Sequence, residues 1–109
     1  MQHKFVVRRA PITKGRPRFS KGRTYTPKST VDAERAIAEE YDGPFFDGPV
    51  SMSCVFSKKR TVITIRSLDE ELSSLRGDTT NYLKLVEDAL QGVAFDDDRQ
   101  VQRVVGKKK

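Results

Sequence analysis

Two β-branched runs on either side of a short basic segment constrain the fold of this chain most. Val50–Ser57, with the sequence Val-Ser-Met-Ser-Cys-Val-Phe-Ser, alternates with period two and is typical of a strand that packs on one face. Thr61–Ile65 is a second strand-forming run. The four residues Ser57–Arg60 between them are candidates for a hairpin turn. We therefore expect a sheet that includes this pair.

Other segments supply helices and further strands around the pair. Pro11–Lys28 is punctuated by proline and glycine and predicts a loop region. For the first helix, Ser29 or Thr30 is a candidate N-cap. The remaining predicted elements are a first strand Lys4–Arg9, a helix Thr30–Tyr41, a helix Thr79–Gln91 and a closing strand Gln100–Val105. This order predicts an α+β fold with a small mixed sheet and two main helices.

Length and composition predict one compact domain over residues 1–109. Only 36% of the residues are hydrophobic and Trp is absent, so the core is modest and pairing with a second copy would help the fold. The net charge is +6, which indicates a polyanionic partner. Met1–Lys28 holds nine Lys or Arg and no acid, whereas Ser29–Pro49 holds six acids and one Arg. This asymmetry favours a dedicated contact surface, with a flexible basic tail as the alternative.

Several classes of function are disfavoured by what the chain lacks. The single cysteine, Cys54, excludes an intramolecular disulfide and a cysteine-based zinc site. The single histidine, His3, has no evident partner, which argues against Ser/His/Asp or Cys/His catalysis. No apolar run has the length of a membrane span or a signal-peptide core. We therefore expect a cytoplasmic protein, in a bacterium or a phage-infected host.

Carboxylates are concentrated around the second predicted helix. Asp78 stands at its N-cap position, where a carboxylate complements exposed amides and the helix dipole. Asp96–Asp98 follow a turn at Gly92, so the chain can fold back towards the helix. Three successive aspartates repel one another unless a cation is near, and their oxygens suit Mg²⁺ or Mn²⁺. The plain alternative is a cap, a surface ion pair between Lys84 and Asp88, and a polar turn.

At this point two blocks of the sequence resemble the RusA-type Holliday junction resolvases. The first is Lys14-Gly-Arg-Pro-Arg-Phe19 with Tyr25-Thr-Pro-Lys28, and the second is Asp78-x-x-Asn81-x-x-Lys84, Asp88-Ala-Leu-x-Gly92 and Asp97-Asp-x-Gln-Val101. The blocks lie in Pro11–Lys28 and Gly77–Val101 and occur in the same order as in the family. The resemblance implies a homodimeric, Mg²⁺-dependent endonuclease that nicks four-way DNA junctions symmetrically, in recombination, repair or phage DNA processing. Its partners would be branched DNA and a second copy, with no small-molecule cofactor.

The resemblance also implies roles for individual residues. In the family motif Asp-x-Asp-Asn-x-x-Lys, the aspartates bind metal and the lysine is required for cleavage. The first aspartate corresponds to Asp78, the lysine to Lys84, and a later metal-binding aspartate to Asp98, with Asp97 beside it. The second motif aspartate is replaced here by Thr80.

A hydroxyl is a poor replacement for an anionic ligand, so the change at Thr80 needs an explanation. We hypothesise that Glu87, about 20° from Thr80 on the helical wheel and about 10 Å further along, returns this charge as a displaced ligand. The competing interpretation is a weakened or inactive enzyme that still binds junctions.

The basic N-terminal block predicts contacts with phosphates, which position DNA without specifying its sequence. The residues assigned to this task are Lys14, Arg16, Arg18 and Lys28. Two other classes of function stay open at this stage. One is a non-catalytic nucleic-acid-binding module that needs no metal, and the other is a structural phage or ribosome-associated protein.

Overall fold

The computed structural model describes residues 1–14, 18–20 and 22–109; in the strands 18–20 and 23–25 only the backbone and the Thr24 side chain are described. The chain forms two compact units, Met1–Glu70 and Glu71–Lys109. The first unit contains β1 (Gln2–Val7), β2 (Arg18–Ser20), β3 (Arg23–Tyr25), α1 (Lys28–Glu40), β4 (Val50–Ser57) and β5 (Arg60–Ser67), and the second contains α2 (Thr79–Leu90) and a 3₁₀ helix (Asp98–Gln100). The predicted α+β class is confirmed.

The main sheet of the first unit has the strand order β1-β5-β4. Both pairs in it are antiparallel, with Phe5 opposite Ile63 and Cys54 opposite Ile63 on the other side. β5 is central because it pairs with its hairpin neighbour β4 on one edge and with β1 on the other. The sheet is therefore antiparallel, whereas the sequence predicted a mixed sheet.

The hairpin at the centre of the sequence prediction forms as expected. β4 has the predicted bounds Val50–Ser57, and Lys58 and Lys59 form the turn. β5 is longer than Thr61–Ile65 and ends at Ser67. The extension is stabilised by the chain start, since the Ser67 amide donates to the Met1 carbonyl at 2.8 Å. Pairing with β1 therefore extends β5 beyond the segment that the local sequence pattern predicted.

The start of α1 differs from the sequence prediction. The helix begins at Lys28 with Pro27 at the N-cap position, and no side chain caps it. The Pro27 carbonyl accepts from the amides of Thr30 and Val31 at 3.1 and 3.2 Å. Thr30 is only 3% exposed, so this side chain is buried within the helix rather than placed at the cap. The prediction of Ser29 or Thr30 as the N-cap is wrong.

A small core lies on one face of the sheet. Val7 and Ile63 are its buried hydrophobic residues. The rings of His3 and Phe5 on β1 both contact Tyr41 edge-on, at centroid distances of 5.2 and 5.3 Å. His3 also has a partner that sequence reasoning missed, because its Nε2 lies 2.8 Å from Asp42 Oδ1. His3 therefore packs against the residues that follow the end of α1.

Two further segments differ from expectation. The predicted loop Pro11–Lys28 contains the antiparallel pair β2–β3. The predicted strand Gln100–Val105 is wrong, since a capped 3₁₀ helix ends at Gln100 and residues 101–109 have no regular structure. The last residues are nevertheless held, because Lys108 Nζ donates to the carbonyls of Leu75 and Gly77 at 3.4 and 3.1 Å. Among the described residues, no helix is both long and apolar enough to cross a bilayer.

Candidate active site

α2 carries the residues around which the candidate site is built, and its start is held by local packing. Asp78 is the N-cap residue, and its backbone carbonyl accepts from the amides of Asn81 and Tyr82 at 3.0 and 3.2 Å. The Asp78 side chain makes no capping hydrogen bond and is exposed. Gly77 allows a close approach, since a Cβ there would lie 2.8 Å from the Tyr82 ring. The Asp78 carboxylate is therefore presented to solvent at a fixed helix start.

Three acidic residues, Glu87, Asp88 and Asp98, surround Lys84 and form the acidic cluster. The Lys84 ammonium lies 3.4 Å from Glu87 Oε1, 3.2 Å from Asp88 Oδ1 and 3.7 Å from Asp98 Oδ2. Glu87 and Asp88 reach it because residues three and four positions apart share one helix face. Hydrogen bonds to Asp88 and then Glu87 raise the pKa of Lys84 above its ordinary value. Lys84 is therefore a persistent cation at neutral pH.

Asp98 reaches Lys84 because the chain reverses after α2. Gly92 adopts a φ of 85°, a left-handed conformation that favours glycine. The Gly92 amide donates to the Phe95 carbonyl at 2.6 Å, and the Ala94 amide donates to the Leu90 carbonyl at 2.8 Å. This turn returns the acidic segment to the helix face that carries Lys84. A contact across fourteen positions in sequence is thus made by backbone geometry.

Asp97 has a structural role in the same turn. Its Oδ1 accepts from the Arg99 amide at 2.8 Å, while Gln100 Oε1 accepts from the Asp97 amide at 3.0 Å, which forms a capping box. The Arg99 guanidinium also contacts both carboxylate oxygens, at 3.2 and 3.1 Å. These hydrogen bonds, that of the Arg99 side chain first, lower the pKa of Asp97. A metal ion at Asp97 would compete with Arg99 for the same oxygens.

The role of Asp97 can be separated by two substitutions. Asp97→Ala is expected to lower the thermal midpoint by about 2–5 °C, because the cap acceptor is lost. Asp97→Asn keeps an acceptor oxygen and should fall between this variant and the unmodified protein. Because the folded pKa is lowered, the stabilisation is present above the unfolded pKa and is lost as the pH falls through the folded value. Melting curves at pH 7 and pH 3 measure both effects, and equal midpoints for all three proteins would contradict the capping role.

The carboxylates of the cluster are chemically suitable ligands for a hard divalent ion, although in this structure they contact the Lys84 ammonium. Carboxylate oxygens are preferred by Mg²⁺ and Mn²⁺, and Glu87, Asp88 and Asp98 already surround one positive charge. Within residues 1–14, 18–20 and 22–109, however, no three His, Cys, Asp or Glu side chains form a group that could hold a metal. The chemistry of the site therefore fits the ion, while a shared coordination centre is not formed in this structure.

The structure brings together some of the residues assigned from sequence and leaves others apart. Lys84, Asp98 and Glu87 meet, and Asp88 joins them. The ion pairs and hydrogen bonds of the described residues include none between the Asp78 side chain and this cluster. Asp78 precedes Lys84 by six residues, about 9 Å along a helix axis. The assignment of Asp78, Asp97, Asp98 and Glu87 as metal ligands stays a prediction, as does the catalytic role of Lys84.

Asp88 is a member of the cluster to which the sequence analysis gave no site role, since it appeared there as half of a surface ion pair and as part of a family-like block. The signal for it was present, since it follows Lys84 by four residues on a helix whose other charges had been assigned to a site. Its carboxylate makes the shortest of the three contacts to Lys84. Asp88 therefore belongs among the residues that position this lysine.

The predicted phosphate-binding residues are described only in part. Lys14 is exposed and its ammonium lies 3.5 Å from Glu34 Oε2. Lys28 is exposed at the first position of α1. Arg16 and the side chain of Arg18 lie outside the described residues. Their assignment to DNA contact stays a prediction.

Comparison with known proteins identifies one family. The chain matches the family model described as Endodeoxyribonuclease RusA over residues 9–109. No curated protein and no solved structure matches the chain. The match covers both sequence blocks and the whole of the acidic cluster.

Proposed function

We propose that this chain, which belongs to the RusA endodeoxyribonuclease family, is a homodimeric, divalent-metal-dependent nuclease that resolves four-way DNA junctions by paired nicks. The observation that carries the proposal is the contact between Lys84 and Asp98. These residues correspond to the family's essential lysine and to one of its metal-binding aspartates. Their contact supports the proposal because it brings a candidate phosphate-binding cation and a candidate metal-binding anion together in one exposed site.

The residues of the site divide into two roles. Lys84 binds the scissile phosphate and stabilises the negative charge that builds up on it. Asp78 and Asp98 would hold Mg²⁺ or Mn²⁺, with Glu87 and Asp97 as further candidate ligands. When bound, such an ion polarises the phosphate and lowers the pKa of a coordinated water. Before DNA arrives, Lys84 is held by ion pairs with Glu87, Asp88 and Asp98.

Basic residues of the first unit hold the DNA backbone. Lys14 and Lys28 are exposed, and Arg16 and Arg18 lie in the same basic block of sequence. Contacts of this kind release counterions, so the affinity falls steeply as salt rises. They bind junctions of different sequence alike, which suits an enzyme selected for DNA shape.

One observation favours a second candidate function. Thr80 stands where the family motif has an aspartate, and it is exposed on α2. A site that lacks one anionic ligand could bind branched DNA and cleave it slowly. The rival proposal is therefore a junction-binding protein with weakened nuclease activity.

Cleavage of a labelled four-way junction separates the two. Purified protein is incubated with the junction in Mg²⁺ or in EDTA, beside Asp98→Asn. We expect paired nicks in opposed strands in Mg²⁺ only, and their loss in the variant. Binding in both conditions without nicking at any Mg²⁺ concentration would favour the binding protein. Cleavage that persists in EDTA would overturn the metal-dependent proposal.

A further inference from the structure

The outer edge of β4 carries unpaired backbone groups whose positions follow from the register. The Leu68 amide donates to the Pro49 carbonyl at 2.9 Å, which fixes the phase of the β4–β5 ladder. Because this phase alternates along an antiparallel pair, every second residue of β4 turns its amide and carbonyl away from β5. In the described part of the chain, no strand pairs with this edge. The outward residues are Val50, Met52, Cys54 and Phe56.

β4 lacks the devices that normally protect an edge strand. Such strands usually carry charges, proline or a bulge, which prevent pairing with another chain. β4 is eight residues long and contains no charged residue and no proline. Three of its apolar side chains, Met52, Val55 and Phe56, are 64%, 64% and 68% exposed. A long, uncharged and open edge of this kind is suited to strand addition.

The distribution of charge indicates which strand could pair with the open edge of β4. With a net charge of +6, two copies repel one another over much of their surfaces. β4 is uncharged, whereas β1 contains Lys4 and β5 contains Arg60 and Arg66. We propose that β4 pairs antiparallel with β4 of a second copy, about a two-fold axis that passes beside Ser53. This proposal rests on the dimeric enzyme proposed above and names the surface through which the dimer forms.

Symmetry restricts the register of this pair. A two-fold axis perpendicular to a continuous sheet keeps each face on the same side, so opposed residues must come from the same face. With the axis beside Ser53, Val50 lies opposite Phe56 of the partner subunit, and Met52 lies opposite Cys54 of the partner subunit. All four outward residues then form ladder hydrogen bonds. This register leaves none of the outward groups of β4 unpaired.

Other registers pair less of the strand. A register centred on Cys54 would place Val50 opposite Lys58 of the partner subunit, and Lys58 lies in the hairpin turn, where the ladder ends. The axis beside Ser53 therefore uses the full length of β4.

Engineered cross-linking tests this register directly. Opposed residues without mutual hydrogen bonds have Cα atoms about 4.5 Å apart, within the range of a disulfide. Ser53→Cys in a Cys54→Ser background is therefore expected to give a covalent dimer under mild oxidation. The unmodified protein is the matched control, since its two Cys54 residues would lie about 9 Å apart, beyond that range. Cross-linking through Cys54 instead would overturn the register, and cross-linking in neither protein would overturn the β4 pairing.

A charge on β4 tests the interface without cross-linking. Met52→Lys should weaken dimerisation by at least about tenfold in sedimentation equilibrium, because like charges approach across the axis. Leu72→Lys, on a side chain that is 73% exposed in the second unit, is the matched control and should leave it unchanged. A monomeric unmodified protein at micromolar concentration would overturn the dimer altogether. A dimer that withstands Met52→Lys would overturn only this interface, and junction cleavage assays report on the nuclease site separately.

Discussion

Replacing Lys84 with methionine is expected to slow junction cleavage by about 10²–10³-fold, the loss typical for removal of one group that stabilises transition-state charge. Methionine keeps an unbranched apolar chain and removes only the ammonium. The Lys84 side chain is exposed, so the fold should not depend on it. Single-turnover cleavage of a labelled junction at saturating Mg²⁺ measures the loss. Gel-shift binding in EDTA should change little, because a single phosphate contact is removed from many.

Lys58→Met is the matched control for this experiment. Lys58 is also an exposed lysine, but it lies in the β4–β5 turn of the first unit. It should cleave at nearly the unmodified rate. If Lys84→Met cleaved as fast as this control, Lys84 would be a surface cation with no part in the reaction.

The second large effect is on Mg²⁺ affinity, which we expect to fall when Glu87 is neutralised and to recover when an aspartate is restored at Thr80. Glu87→Gln is expected to weaken Mg²⁺ binding by at least about tenfold, since even outer-shell partners of a metal contribute about 10–100-fold. Thr80→Asp should strengthen binding in the unmodified chain and recover most of the loss in the double variant, because it returns one carboxylate to the same helix. Calorimetric titration with Mg²⁺ and the Mg²⁺ dependence of cleavage measure the cycle.

Asp88→Asn distinguishes loss of a ligand from loss of a contact to Lys84. Glu87 and Asp88 both touch the Lys84 ammonium, at 3.4 and 3.2 Å. If Glu87 acts only through that contact, both variants should show the same defect and Thr80→Asp should rescue neither. Full Mg²⁺ affinity in Glu87→Gln would show that Glu87 does not compensate for Thr80.

The elements predicted well are those whose signal is local. β4 has its predicted bounds, and α2 ends within one residue of its predicted end at Gln91. Period-two alternation and a broad apolar arc at helical spacing report directly on neighbours two, three or four residues away. The predicted strand Gln100–Val105 failed for the same reason. Its β-branched residues indicated a strand, but no neighbouring strand pairs with it among the described residues.

The site shows the same division. The contacts of Lys84 with Glu87 and Asp88 follow from helical spacing, because one turn brings residues three and four apart onto one face. The engagement of Asp97 by Arg99 depends on the side chains of a 3₁₀ turn and was not anticipated. Adjacent aspartates that look equivalent in sequence are thus separated, with one acting as a cap and the other pointing to Lys84.

Residue types and their spacing alone determined the α+β class, the central hairpin and the acidic helix, and the resemblance of two motif blocks indicated the family. Tertiary structure decided that Asp98 meets Lys84, that β4 lies at an open edge and that Thr30 is buried. Helical and strand periodicities are properties of short segments and can be recognised from the sequence alone. Contacts across a turn and the order of strands depend on how segments pack together, which no single segment encodes.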